Sequence, residues 1–264
     1  MREARPLREK ITACIRKRGL WYTLRSGVLY LARCGRYMGY DVLHGVSTRQ
    51  RLPMSKLDLA GDAARYALPY EATDTSLLRK LLRGLPIDYS AFEFVDLGAG
   101  KGRTMCIAAE FPFRRIVGTE LSPILSETAR HNCLHFHSKI QVCKNLAVFC
   151  QDAAKFSFPK SPLVIYLFNP FDGVILSRTL ENLEKSLNEF PREVFVVYHN
   201  SVHSDILEKS PSFDLFLSGA DRWDYRKLPY RIFRTKPAAR HRVVMEIPQF
   251  GAMTPAAKAV GWDA

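Results

Sequence analysis

The sequence lacks any apolar run approaching the roughly 18 to 20 residues that cross a bilayer as a helix, which excludes a helical membrane span. It has six cysteines, at 14, 34, 106, 133, 143 and 150, but no CxxC pair among them. That absence argues against dithiol redox motifs and the usual zinc spacings, and in a chain of 264 residues the thiols read as reduced and mostly buried. Internal repeats and low-complexity tracts are missing, and with 47% apolar residues the chain can build a full core, so general disorder is excluded. The opening MREARPLREKITACIRKRG has no apolar secretory segment. Its Glu3 and Glu9 count against an acid-poor transit peptide. A cytoplasmic protein is expected, with attachment to a membrane surface as the lesser alternative.

Acidic residues are scarce in one region only. Residues 1–51 hold 12 Lys and Arg against Glu3, Glu9 and Asp41, while the rest of the chain is close to balanced despite an overall charge of +13. A basic front of this kind suits an anionic partner, either nucleic acid or lipid, or simply a solvated helical face. Within it Ile11, Ile15, Leu20, Trp21, Leu24, Val28, Leu29 and Leu31 recur at rough helical spacing. One or two amphipathic helices are expected, broken near Gly19, Gly27 and Gly35. Packing onto the main domain is the leading reading for them, and a membrane-surface helix the minor one.

After a turn-rich connector, Thr73 or Asp74 is placed to cap a helix carrying Leu77, Leu78, Leu81 and Leu82. Strand-like and helix-like segments then alternate. FEFVDLG, RRIVGTEL, NLAVFCQDA, LVIYLFNPF and EVFVVYHN read as strands. GRTMCIAAEF, SPILSETARHNCLHF and ILSRTLENLEKSL read as helices, the second with Ser122 as cap and Pro123 in its first turn. FDLFLSGA and YRIFRT resemble a closing antiparallel pair, and HRVVMEI a further edge strand. Apolar strands separated by helices indicate parallel βαβ units in a doubly wound sheet.

The first strand runs into DLGAGKG. A phosphate-binding GxxxxGK[ST] loop is excluded, because position 95 is Val and Gly102 follows Lys101. The dinucleotide spacing GxGxxG also fails, since Gly98, Gly100 and Gly102 are evenly spaced. Asp96 stands immediately before the loop, where a carboxylate suits an ammonium-bearing ligand better than a pyrophosphate. Glu120 ends the second strand, about where nucleoside-binding sheets carry a ribose acid. Asp152 follows the third strand, and Asn169-Pro170-Phe171 the fourth. Each acid also has a plain structural use, as a loop tie, a strand end or a turn acid. Ligands of open α/β sheets, however, bind at the carboxyl ends of the strands, where all of these lie.

This pattern resembles motif I and the following landmarks of class I S-adenosylmethionine (SAM) methyltransferases, over roughly residues 66–235. The resemblance implies a Rossmann-like, doubly wound, mostly parallel seven-stranded sheet with an antiparallel closing strand, here with a helical N-terminal extension. It implies SAM as cofactor. Asp96 would hold the ammonium, Gly98, Gly100, Lys101 and Gly102 the carboxylate end, Glu120 the ribose hydroxyls and Asp152 the adenine amino group. Asn169 and Phe171 resemble the (N/D)PP(Y/F) motif of amino methyltransferases with one proline missing. By that likeness they would be the catalytic pair, orienting an acceptor nitrogen. The layout is also similar to the histone-lysine methyltransferases that lack a SET domain. There a YxET-like segment precedes motif I, matched in part by Tyr70, Glu71, Ala72 and Thr73. Tyr70, Glu71 and Thr73 would then close over the methionine end. Uncharacterised bacterial methyltransferases share this layout.

The expectation is a methyltransferase acting on an amine nitrogen, a protein lysine or similar. A hydroxyl of a small molecule or glycan, a nucleic acid, or a non-catalytic binding protein on the same fold are the alternatives. Tyr198, His199 and His203, near the end of the fifth strand, offer a general base for an oxygen acceptor. His131, Cys133, His135 and His137 fall on two helix faces, so no metal site is expected. The expected division is residues 1–60 as basic extension, 61–236 as SAM-binding domain and 237–264 as C-terminal strand and tail.

Overall fold

The computed structural model describes residues 7–50, 52, 57–59, 65, 68, 70–221 and 226–237. The expected C-terminal strand HRVVMEI and the tail lie outside the described residues, as does most of the connector.

Two helices open the chain, α1 (Leu7–Arg18) and α2 (Leu20–His44). The break at Gly19 is present, with φ of 87°. Breaks at Gly27 and Gly35 are not: α2 runs through both. A single glycine lowers helix propensity without preventing helical dihedrals, and the second half of α2 is held by an inward face of Arg33, Tyr37, Tyr40 and His44. It ends at Gly45, whose left-handed conformation terminates the turn.

Asp74, rather than Thr73, caps α3 (Thr75–Arg83), its carboxylate accepting from the N–H groups of Ser76 and Leu77. The expected alternation follows as β1 (Glu93–Leu97), α4 (Arg103–Ala108), β2 (Arg115–Glu120), α5 (Pro123–His135), β3 (Leu146–Cys150), β4 (Leu163–Phe168), α6 (Gly173–Glu189) and β5 (Val194–His199). Short α7 (Ser204–Glu208) leads to β6 (Phe213–Ala220) and β7 (Pro229–Thr235). Ser122 caps α5 through Leu125 N–H, with Pro123 in the first turn as expected.

The sheet order is β3-β2-β1-β4-β5-β7-β6. The first five strands are parallel, and β7 is inserted antiparallel between β5 and β6. This is the mostly parallel seven-stranded arrangement with an antiparallel closing strand expected above. Alternate residues divide between two cores, as the pleat requires. Phe94, Ile116, Val164, Tyr166, Phe195 and Val197 face a layer of Leu78 and Leu82 from α3, Met105 and Ile107 from α4, Ala129 from α5 and Tyr40 from α2. Val95, Val117, Leu163, Ile165, Val194 and Val196 face Ile175, Leu176, Leu180, Leu183 and Leu187 of α6. The order reverses at β1, whose neighbours are β2 and β4, and a crevice forms there at the carboxyl ends.

Candidate functional site

The crevice is narrow and partly open, with about 90 Å³ accessible to water-sized molecules. Of the residues expected to bind or act, Tyr70, Glu71, Thr73, Asp96, Gly98, Gly100, Glu120, Asp152, Asn169 and Phe171 line it. Lys101 and Gly102 do not.

The glycine loop follows β1 directly. Gly98 and Gly100 have φ of 81° and 55°, in the left-handed region that side chains disfavour. Both are also crowded: a Cβ on Gly98 would overlap Pro170, and one on Gly100 the Tyr70 ring. The Tyr70 ring therefore packs directly against the loop, its hydroxyl donating to the Thr48 carbonyl at 2.6 Å. Gly102 faces Ala129 instead, letting α4 approach α5. Lys101 is buried behind the loop, where its carbonyl accepts from Asn132 at 2.8 Å and burial lowers the ammonium pKa.

The loop amides are largely committed. Gly98 and Ala99 donate to Thr119, Gly102 donates to Ala99, and Gly100 donates to the Glu120 carboxylate at 2.8 Å. The other Glu120 oxygen accepts from Ser122 N–H at 2.9 Å. Burial raises the Glu120 pKa while these N–H groups lower it. Each oxygen keeps a second lone pair for a ligand hydroxyl.

Asp96 is buried at the end of β1, and its Oδ2 has no hydrogen-bond partner. Burial, with the neighbouring Glu120 carboxylate, pushes its pKa up to about 8 against the lowering effect of the Thr104 hydroxyl. Buried polar groups are normally satisfied, so an orphaned carboxylate oxygen in a cavity wall marks a place for a donor or a cation.

Arg103, the first residue of α4, is a wall residue that sequence reasoning missed. It is 1% exposed, donating to Thr48 Oγ1 at 2.6 Å and Asp41 Oδ1 at 2.9 Å, while its Nη1 has no partner. Asp96 and Arg103 thus offer one unsatisfied acceptor and one unsatisfied donor in the same wall, a pairing that suits the ammonium and carboxylate of an amino acid. The only sequence signal was the place of Arg103 beside the glycine loop.

Two arginines from distant segments hold Glu71. Arg33 of α2 lies 3.4 Å from its Oε1, and Arg226, before β7, donates to both oxygens, to Oε2 at 2.9 Å. Thr73 bonds to the Tyr166 hydroxyl at 3.2 Å and accepts from Thr104. Tyr166 in turn meets His199 Nδ1 at 3.2 Å, and the His199 ring stacks on Phe168. A polar chain therefore runs from α4 under the cavity floor to the end of β5.

Asp152 accepts from Ala154 N–H as a turn cap and also lines the crevice. Asn169 has φ of 42°, and its Oδ1 accepts from the Tyr198 hydroxyl at 3.1 Å. Burial raises the Tyr198 pKa to about 12, so this hydroxyl remains a donor at neutral pH. Phe171 is buried in the α6-side core with one edge on the cavity. His131 stacks on His135, and among the described residues no group of three or more His, Cys, Asp or Glu could hold a metal ion.

No family model matches the sequence, and no curated protein does. Solved structures do match. A glycopeptide N-methyltransferase complexed with SAM is 13% identical, over 63% of this chain and 95% of that one, with a TM-score of 0.47. A TehB-like SAM-dependent methyltransferase from Corynebacterium glutamicum is 16% identical, over 62% and 87%, with a TM-score of 0.43. Magnesium protoporphyrin IX methyltransferase from Synechocystis with bound SAM is 13% identical, over 61% and 77%, with a TM-score of 0.44.

Proposed function

We propose that the chain is a class I SAM-dependent methyltransferase, related in layout to the bacterial-type and non-SET lysine enzymes, that methylates an amine nitrogen such as a protein lysine. The observation that carries this reading is the buried, unpartnered Asp96 carboxylate beneath the glycine loop, with Glu120 ending the adjacent strand. Asp96 would receive the ammonium and Arg103 the carboxylate of the amino-acid end. Glu120 would accept from the ribose hydroxyls, and Asp152 would face the adenine amino group.

When bound, SAM supplies a methyl group already activated on its sulfonium, so the protein's task is chiefly to position an acceptor. Asn169 is suited to that task. Its Oδ1 is fixed by the Tyr198 hydroxyl and retains a lone pair for an acceptor N–H. Phe168 and Phe171 supply apolar walls that restrict water.

Transfer to a hydroxyl is the second reading. It is favoured by the Tyr166–His199 pair, which offers a proton acceptor beside the crevice.

The reading is tested by titrating the full chain with SAM. Micromolar binding that Glu120→Ala abolishes is expected; no binding by the wild type would leave a non-catalytic role ahead. Radiolabelled SAM incubated with fractionated extract then identifies the acceptor, and label on oxygen would overturn the nitrogen preference.

A further inference from the structure

Helix α2 presents two faces of opposite use. Arg33, Tyr37, Tyr40 and His44 are buried against the domain. At 100° per residue, the opposite side carries Trp21, Leu24, Val28, Leu31, Met38 and Val42, all more than half exposed and Trp21 85% exposed. The stripe runs about 32 Å along the helix. Arg25, about 40° round α2 from Trp21, is exposed beside it, and Arg16 and Lys17 are exposed at the end of α1, whereas Arg18 turns to Tyr22 on the inward side. Glu9 is the one described acid on α1, and Asp41 on α2 is turned inward, accepting from Thr48, Arg49 and Arg103.

We infer that this face docks the protein on an anionic bilayer surface, with α2 lying in the plane of the interface. Apolar side chains over acyl chains, with arginine and lysine at the level of acidic headgroups, are the two complementary parts of such an interaction. Nucleic acid would match the cations but leave the mainly aliphatic stripe in water. A second copy would cover the stripe but bring two strongly basic segments together. No described helix is long and apolar enough to cross a membrane, and α2 carries Arg25, Arg33 and Arg36. It therefore lies on the surface. The inward ion pairs of Arg33 with Glu71 and Arg36 with Asp74 keep the helix on the domain, so docking requires no rearrangement.

The test is sedimentation of the full chain with vesicles of phosphatidylcholine alone and of phosphatidylcholine mixed with phosphatidylserine. Binding is expected only to the mixed vesicles, weakening as salt is raised. Leu24→Glu with Leu31→Glu should reduce that binding at least about tenfold, while Leu134→Glu on exposed α5 should leave it unchanged. Trp21→Glu near the helix start serves as a second variant, and thermal melting checks that each remains folded. Wild-type protein that ignores anionic vesicles, or folded stripe variants that bind as well as wild type, would overturn the inference. So would a dimer in solution that the stripe variants dissociate, or duplex DNA binding without vesicle binding.

Discussion

Among the crevice residues, Asp96 is a buried carboxylate with an unpartnered oxygen and a strongly raised pKa, and the proposed function gives it the ligand's ammonium. Its pKa of about 8 lies above the ordinary 3.8, so the unliganded protein holds a proton there at neutral pH. A cationic ligand needs the carboxylate. SAM affinity should therefore rise as pH is raised towards about 8, with proton release on binding, and calorimetry in buffers of different ionisation enthalpy would measure both. Asp96→Asn should bind weakly and lose the pH dependence. For stability the sign is opposite to that of a salt-bridged aspartate. The folded state binds this proton more tightly than the unfolded chain, so the contribution of Asp96 to stability is full below about pH 4 and is lost as pH rises to about 8. Melting curves of wild type and Asp96→Asn across that window should converge at its acid end. Gly100 offers a second check. Gly100→Ala must adopt a left-handed φ and displace the Tyr70 ring, a loss of about 1–3 kcal/mol. Tyr70→Ala should remove the steric part only, giving a non-additive double-mutant cycle in denaturant unfolding.

At the scale of elements, much was legible because it is local. Strand ends could be read because each apolar run stops at a named acid or turn, and Asp96, Glu120 and Asp152 sit at three such stops. Caps were equally local. Asp74→Ala should cost about 1 kcal/mol by thermal or chemical melting, because two N–H groups at the start of α3 lose their acceptor. The length of α2 was misread for the converse reason. Glycine is a weak local breaker, and around Gly35 the helix is also held by pairs of Arg33 and Arg36 with Glu71 and Asp74, far along the chain. Arg103 escaped notice similarly: its partners Asp41 and Thr48 lie 62 and 55 positions away. Arg226 lies 155 positions from Glu71. Patterns along a sequence show which side chains share a strand end, but not which distant helix will meet them.

For the molecule as a whole, the front segment is structural as well as basic. Tyr40 and Val46 belong to the core, and Asp41 and Thr48 hold Arg103 in the cavity wall. Removing residues 1–50 should therefore lower the melting temperature and weaken SAM binding at least about tenfold, since a buried guanidinium loses its partners. A truncated chain that binds SAM like wild type would show that Arg103 needs no support. The position of β7 carries a separate consequence for biosynthesis. Because β7 is seated between β5 and β6, β6 leaves the ribosome before the strand that joins it to the sheet has been made. Until then β6 has no strand to pair with, so closure of this edge of the sheet waits on the completion of β7.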